Sequence, residues 1–382
     1  MVDSNENIRR PIPFGDTTQE DAEMAAKVLG AAAVQQSLGD APTVQRNPVG
    51  TYDRFYTPIG NIAVKLGAFY VEGQEVARAQ SLSEIRDAMT RLITAVENED
   101  NKKTSRYHAA VLKYRTWLED PLNRKPPSQI FTKGNKKLPF WAFSTLAGVT
   151  CPEAGACLKK PENEGGGRGW CYSFSAWRNI WPYFRALQNT ILIRMPDKSH
   201  ILNDMRKKLK DDQVVRLYVD GDMDSVETID FWMETCRKFP KNHFYGYSKS
   251  WQRFIDWGAQ NNNNWPLNYA LNLSSGSKYE ASQSLLSMMT ERMMTLINPN
   301  TGQPLVRGKF IAVDAKKYPK KSERTVDTIA AYKRDVQAAA IAQYGAARTF
   351  VCPNYCGTCL PNGGHACGSR TFQDVNVAIG IH

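Results

Sequence analysis

No run of eighteen apolar residues occurs in this chain of 382 residues, so a membrane-spanning helix is not expected. The opening segment MVDSNENIRRPIPFGD has no apolar stretch of the kind that forms a secretory leader. A reducing, cytoplasmic location is therefore expected, where clustered cysteines bind metal more often than they pair. There is no G-x-x-x-x-G-K-[ST], which argues against a phosphate-binding P-loop. No G-x-S-x-G occurs either, and the five histidines are scattered. That leaves no paired-histidine motif of a zincin or a rolling-circle nickase.

What is present is cysteine and positive charge. Seven of the eight cysteines fall into two groups. Cys151, Cys157 and Cys171 form the first. Cys352, Cys356, Cys359 and Cys367 form the second. A chain of this length can bury a core without disulfide staples. Net charge is +11, which attracts polyanions, nucleic acid first among them. The excess is local: ten Lys/Arg and two acids lie between Lys102 and Lys137. Tyr107, Tyr114, Trp117 and Phe131 are interleaved with them. Charge for phosphates and rings for bases are the ingredients of a single-strand groove; the competing reading is a solvated face whose rings point into the core.

Four regions are expected. Residues 1–50 read as a partly flexible arm with one Ala-rich helix over Asp21 to Gln36. Residues 51–137 read as a mostly helical basic region. It holds one or two strands from Tyr52 to Gly67 and helices over Ser81 to Asn98 and Ser105 to Leu118. Residues 138–351 alternate strand-like and helix-like runs, and residues 352–382 form a Cys-rich, metal-binding segment. The third region begins with FWAFSTLAGVTCP, read as a buried strand ending at Cys151. After a Gly-rich loop, Trp177, Ile180, Trp181, Phe184 and Leu187 fall at helical spacing. VVRLYVDGD, HFYGYSKS, NYALNLSS, KFIAVDA and RTFVCP then read as strands, separated by helices that include Tyr279 to Ile297 and Thr325 to Tyr344. This beat argues for parallel βαβ units. Their sites lie at the carboxyl ends of the strands. Asp220-Gly221-Asp222, Ser248-Lys249-Ser250 and Ser274-Ser275-Gly276 all occupy such ends, so they and both cysteine groups should gather at one crevice.

Four thiolates as close as Cys352-x3-Cys356-x2-Cys359-x7-Cys367 suit tetrahedral zinc or a [4Fe–4S] cluster, and His365 could replace one of them in a zinc site. The first group, Cys151-x5-Cys157-x13-Cys171-Tyr172, follows the first barrel-like strand. Cys236 lies mid-helix among apolar neighbours and reads as core.

FSTLAGVTCPEAGAC, WCYSFS, VVRLYVDGDMDSVETIDFW, HFYGYSKSW, LNLSSG and VCPNYCGTC together resemble the gene-product-88 family of phages and mobile elements, from about Phe140 onward. The resemblance implies an origin, and the host cytoplasm as location, without naming an activity. The order of cysteine loop, GD turn and Y[ST]KS strand is also similar to radical S-adenosylmethionine enzymes of the spore photoproduct lyase group. There a C-x3-C-x2-C loop follows the first strand; here that spacing stands in the second group. There a Gly-Gly-Glu turn contacts the cofactor's amino group; here Asp220-Gly221-Asp222 stands in its place.

The expected fold is thus α/β: a partial, radical-SAM-like (β/α) barrel of parallel strands with a helical N-terminal region. The expected function is radical-SAM-like chemistry on nucleic acid or a nucleotide. One or two [4Fe–4S] clusters would sit on the seven cysteines, with S-adenosylmethionine on Asp220, Gly221, Asp222, Lys249 and Ser274. The alternative is a non-catalytic nucleic-acid-binding protein stapled by zinc or an iron–sulfur cluster.

Overall fold

Apolar residues four apart build the first helix. Ile85, Met89 and Ile93 are fully buried on one face of α1 (Leu82–Glu97). Helix α2 (Ser105–Glu119) turns Val111, Tyr114, Trp117 and Leu118 inward, and Tyr114 stacks on Phe184 at 4.7 Å. In the computed structural model the described residues are 82–98, 105–133, 138–158, 169–173, 180–315, 318–346, 348–353, 356, 359 and 365–381. The expected arm, its helix and the strands from Tyr52 to Gly67 lie outside them.

The chain builds an eight-stranded sheet in the order β1-β2-β3-β4-β5-β6-β8-β7. The strands are β1 (Thr132–Lys133), β2 (Trp141–Ala142), β3 (Val214–Leu217), β4 (His243–Ser248), β5 (Tyr269–Ser274), β6 (Val306–Val313), β7 (Thr349–Val351) and β8 (Asn376–Gly380). Only the β1–β2 pair is antiparallel. The other α-helices among the described residues are α3 (Ile180–Arg194), α4 (Ser199–Lys208), α5 (Val226–Lys238), α6 (Trp251–Gln260), α7 (Gln283–Met294) and α8 (Val326–Tyr344). The parallel α/β expectation is met. Ring closure is not seen among the described residues, since β1 and β7 end the sheet.

Side-chain parity separates the two faces of the sheet. Val215, Leu217, Phe244, Leu271 and Leu273 share one core with Trp232, Phe254, Trp257 and Met293 of α5, α6 and α7. Ile311, Val313, Ala378 and Val351 meet Tyr332, Val336 and Ala340 of α8 on the same side. The opposite face carries Val214, Tyr245, Tyr247, Ala270, Phe310, Phe350 and Val377. No helix covers it. The C-terminal segment does, through Cys359, Ala366, Cys367, Phe372 and Val375.

Several expectations are corrected. The strand expected to reach Cys151 ends at Ala142. Beyond it Thr145 N donates to Asp220 O, and the chain stays buried from Thr145 through a turn at Ala147 to Thr150. RTFVCP is not the final strand: β8 follows and inserts between β6 and β7, pairing Phe310 with Val377 and Val377 with Phe350. It was missed because five residues with one alternation are too short to stand out. Helix α4 was missed because only Ile201 and Met205 are buried in it. The helix expected over Tyr279 to Ile297 is a 3-10 turn, Lys278–Ala281, then α7, capped by Ser282 accepting from Leu285 N at 3.3 Å.

Candidate functional site

A cavity of about 530 Å³ opens where the strands end. Its lining includes Cys151, Cys157 and Cys171, the Asp220-Gly221-Asp222 turn, Lys249 and Ser274. Cys352 and Cys356 of the second group line it too. The volume suits a small ligand and is too small for a duplex.

The walls are keyed to one another. Thr145 Oγ1 and Thr150 Oγ1 lie 2.8 Å apart in the loop that leads to Cys151. Asp222 N donates to Thr150 Oγ1 at 3.2 Å. Gly221 has φ +79, and a Cβ there would fall 2.5 Å from Thr150 Oγ1 and overlap Thr145 Oγ1. The cysteine loop and the aspartate turn therefore fit only because residue 221 has no side chain. The Ser274-Ser275-Gly276 turn is similar. Gly276 O accepts from Gly155 N at 2.8 Å, and a Cβ on Gly276 would meet Cys157 Cβ at 2.7 Å.

The two aspartates have different work. Asp222 is nearly enclosed; its Oδ1 accepts from Met223 N at 2.8 Å and its Oδ2 from Lys249 N at 2.7 Å. Burial pushes its carboxyl up to about 6. It fixes the start of the β4–α6 loop. Asp220 is partly open, with Oδ1 accepting from Ser173 Oγ at 2.6 Å. Burial raises its pKa as well. Lys249 Nζ donates to Ser274 Oγ at 2.9 Å. Burial opposes its charge, but Cys157 and Asp222 beside it outweigh burial and hold the ammonium above its usual value.

Cys157 is buried, whereas Cys151 and Cys171 are half-buried. Burial pushes Cys157 up to about 11 and Cys151 well above the usual thiol range. In the second group Cys359 is pushed up to about 12 by burial. Cys359 and Cys367 are buried in the apolar cluster on the inner sheet face, while Cys352 and Cys356 reach the cavity. His365 is held as a core side chain: its ring lies 4.5 Å from Tyr245 and 4.6 Å from Phe140, and its Nδ1 accepts from Gly368 N at 3.1 Å. Cys236 is fully buried in α5, as expected.

Among the described residues, no three Cys, His, Asp or Glu side chains converge closely enough to hold one metal ion. A tetrahedral zinc with Zn–S near 2.3 Å needs its sulfurs about 3.8 Å apart. A cluster takes one thiolate for each iron, so its ligands surround a volume instead of a point. All three thiols of the first group line the cavity.

Several lining residues had no advance signal. Tyr172 hydroxyl donates to Val219 O across the mouth. Arg185 on α3 and Arg216 in β3 both line the cavity. A charged residue inside the apolar run VVRLYV was the available clue for Arg216, since its parity puts it on the inner face. The basic segment fared differently. Tyr114, Trp117 and Phe131 are buried in the main core, so these rings are not free to stack on bases. Lys102, Lys103, Lys136 and Lys137 lie outside the described residues.

A family model for Gene product 88 matches residues 88–359. The chain belongs to the Gene product 88 family. The match starts well before Phe140, so α2 and most of α1 belong to the family's shared core, whereas β8 lies beyond it. No curated protein and no solved structure matches the chain. Among the described residues no helix is long and apolar enough to cross a membrane.

Proposed function

We propose that this Gene product 88 protein is an iron–sulfur enzyme of a reducing compartment, the host cytoplasm, carrying out radical chemistry on a nucleotide-like substrate. The observation that carries the reading is the shared cavity: three thiols of one loop, the Asp220-Gly221-Asp222 turn, Lys249 and Ser274 meet there from four different segments of chain. Helices on one face of a parallel sheet, with the other face turned to the cavity and the C-terminal segment, are consistent with a partial (β/α) barrel.

Cys151, Cys157 and Cys171 would hold a [4Fe–4S] cluster with one iron open. When bound, that cluster supplies the electron that reductively cleaves a carbon–sulfur bond of S-adenosylmethionine. The protein's own groups bind and orient. Asp220 would offer its carboxylate to the cofactor's amino group, and Lys249, beside Ser274, would offer its ammonium to the cofactor's carboxylate. Gly221 lets the aspartate turn close on the cysteine loop, which keeps Asp220 beside the thiols. Asp222 is a positioning residue, since both its oxygens already accept backbone N–H groups. Tyr247, Phe310 and Trp170 line the cavity and exclude water. Cys352 and Cys356 stand where a second, auxiliary site would adjoin the first.

Anaerobic reconstitution of the full chain with iron and sulfide tests this. A brown chromophore and 5′-deoxyadenosine formed from S-adenosylmethionine and dithionite are expected. Colourless protein that takes up only zinc would leave a metal-stapled binding protein as the better reading.

A further inference from the structure

Arg216 projects from the inner face of β3 into the cavity, and Arg185 approaches from α3. Neither side chain has an ion-pair partner among the described residues. The Arg216 Nε is fully enclosed and has no hydrogen-bond partner among the described residues. The central carbon of the guanidinium sits over the Tyr247 ring, 4.6 Å from its centroid, a cation–π contact that helps hold the group in place. An enclosed guanidinium donor without an acceptor is costly to a fold. Asp220 is the acid near both arginines, and its Oδ1 is held by Ser173. Asp222, the other acid lining the cavity, is spent on the backbone of Met223 and Lys249. One carboxylate thus faces two guanidiniums, which leaves an excess positive charge in an enclosed space.

We infer that Arg185 and Arg216 form an oxyanion-binding site for the phosphoryl or carboxylate group of a small ligand, on the α3 side of the cavity. Planar forks of this kind bind such groups bidentately. The inference rests on the reading above only in taking this cavity as the ligand site. It names the substrate as an anionic small molecule whose charged end is held beside Asp220, apart from the Lys249–Ser274 wall.

The test uses the full chain and simple anions. Melting is followed in phosphate, acetate and chloride at one ionic strength, and iron and sulfide are measured in every sample. Phosphate or acetate is expected to raise the midpoint saturably by about 2 °C or more over chloride; which of the two does so tells phosphoryl from carboxylate. The Arg185→Gln/Arg216→Gln protein is expected to lose the shift. Without added anion it should melt no lower than the wild type, because the excess positive charge has gone. Arg216→Lys, which keeps the charge but not the fork, should lose most of the shift. No shift over chloride, or one that persists in the double variant, overturns the inference. Iron-free protein that still shows an Arg-dependent shift keeps this site and removes the cluster; iron-loaded protein without the shift does the reverse.

Discussion

The side-chain amide of Asn272 donates to the backbone carbonyl of Cys367 across 2.8 Å, from the middle of β5 to the turn that carries the end of the second cysteine group. Its carbonyl oxygen accepts from Arg307 Nε at 2.7 Å, and Arg307 Nη1 reaches Phe372 O and Val375 O. Two buried polar residues thereby fasten the C-terminal segment to the inner sheet face. Arg307→Leu leaves three acceptors without their donor. A loss of about 3 kcal/mol is expected in urea unfolding at roughly 1 kcal/mol for each stranded group. Unchanged stability would mean that the segment is held by apolar packing alone.

Gly221→Ala should damage the site more than the fold. The added methyl group overlaps Thr145 and stands at positive φ, so the aspartate turn must shift away from the cysteine loop. Ligand binding is expected to fall at least about tenfold, equivalent to roughly 1.4 kcal/mol, as measured by titration with S-adenosylmethionine.

Cysteine replacements should sort by position. Cys151→Ser is expected to lower the iron content of reconstituted protein strongly. Cys236→Ser, deep in α5, should leave iron unchanged and cost about 1–3 kcal/mol for burying a hydroxyl. Equal iron in both variants would remove the first group from the metal site.

Asp374 gives a pH signature. Burial raises its pKa, against the pull of Arg348, Arg307 and Arg370 nearby. A raised carboxyl favours folding when protonated, a contribution fully present below the unfolded value of about 3.9. It is lost as pH rises through the higher folded value. Asp374→Asn, which keeps a residue tolerant of the positive φ here, should therefore match or exceed wild-type stability at neutral pH. The difference should vanish toward pH 4. A variant clearly weaker at pH 7 would show that the arginines dominate.

Much of the fold was legible because β3 to β6 carry runs of apolar residues bounded by small or polar ends, and the helices between them have regular spacing. The same runs placed Asp220, Lys249 and Ser274 correctly at one cavity, since parallel strands end together. Arg185 has no pattern around it, and for Arg216 the one clue, a charge inside the apolar run VVRLYV, gains a direction only from the sheet's parity. Tyr114 and Trp117 misled for the same reason. Interleaved with basic residues they suggest a stacking surface, but the three-residue spacing from Val111 through Tyr114 to Trp117 puts them on the core face of α2. The fate of β8 depended on a partner, β6, some seventy residues earlier, which no local window contains.

That insertion has a consequence for how the protein is made. While the chain is being synthesised, β6 and β7 have no shared neighbour, because the strand between them has not yet been translated. Every residue to Gly380 must leave the ribosome before the inner face is covered. Until then Cys352, Cys356, Cys359 and Cys367 belong to an undocked segment open to the surrounding solution. Long-range pairing of this kind forms late. The interval before β8 docks is therefore when a metal, or an oxidant, has its freest access to these thiols.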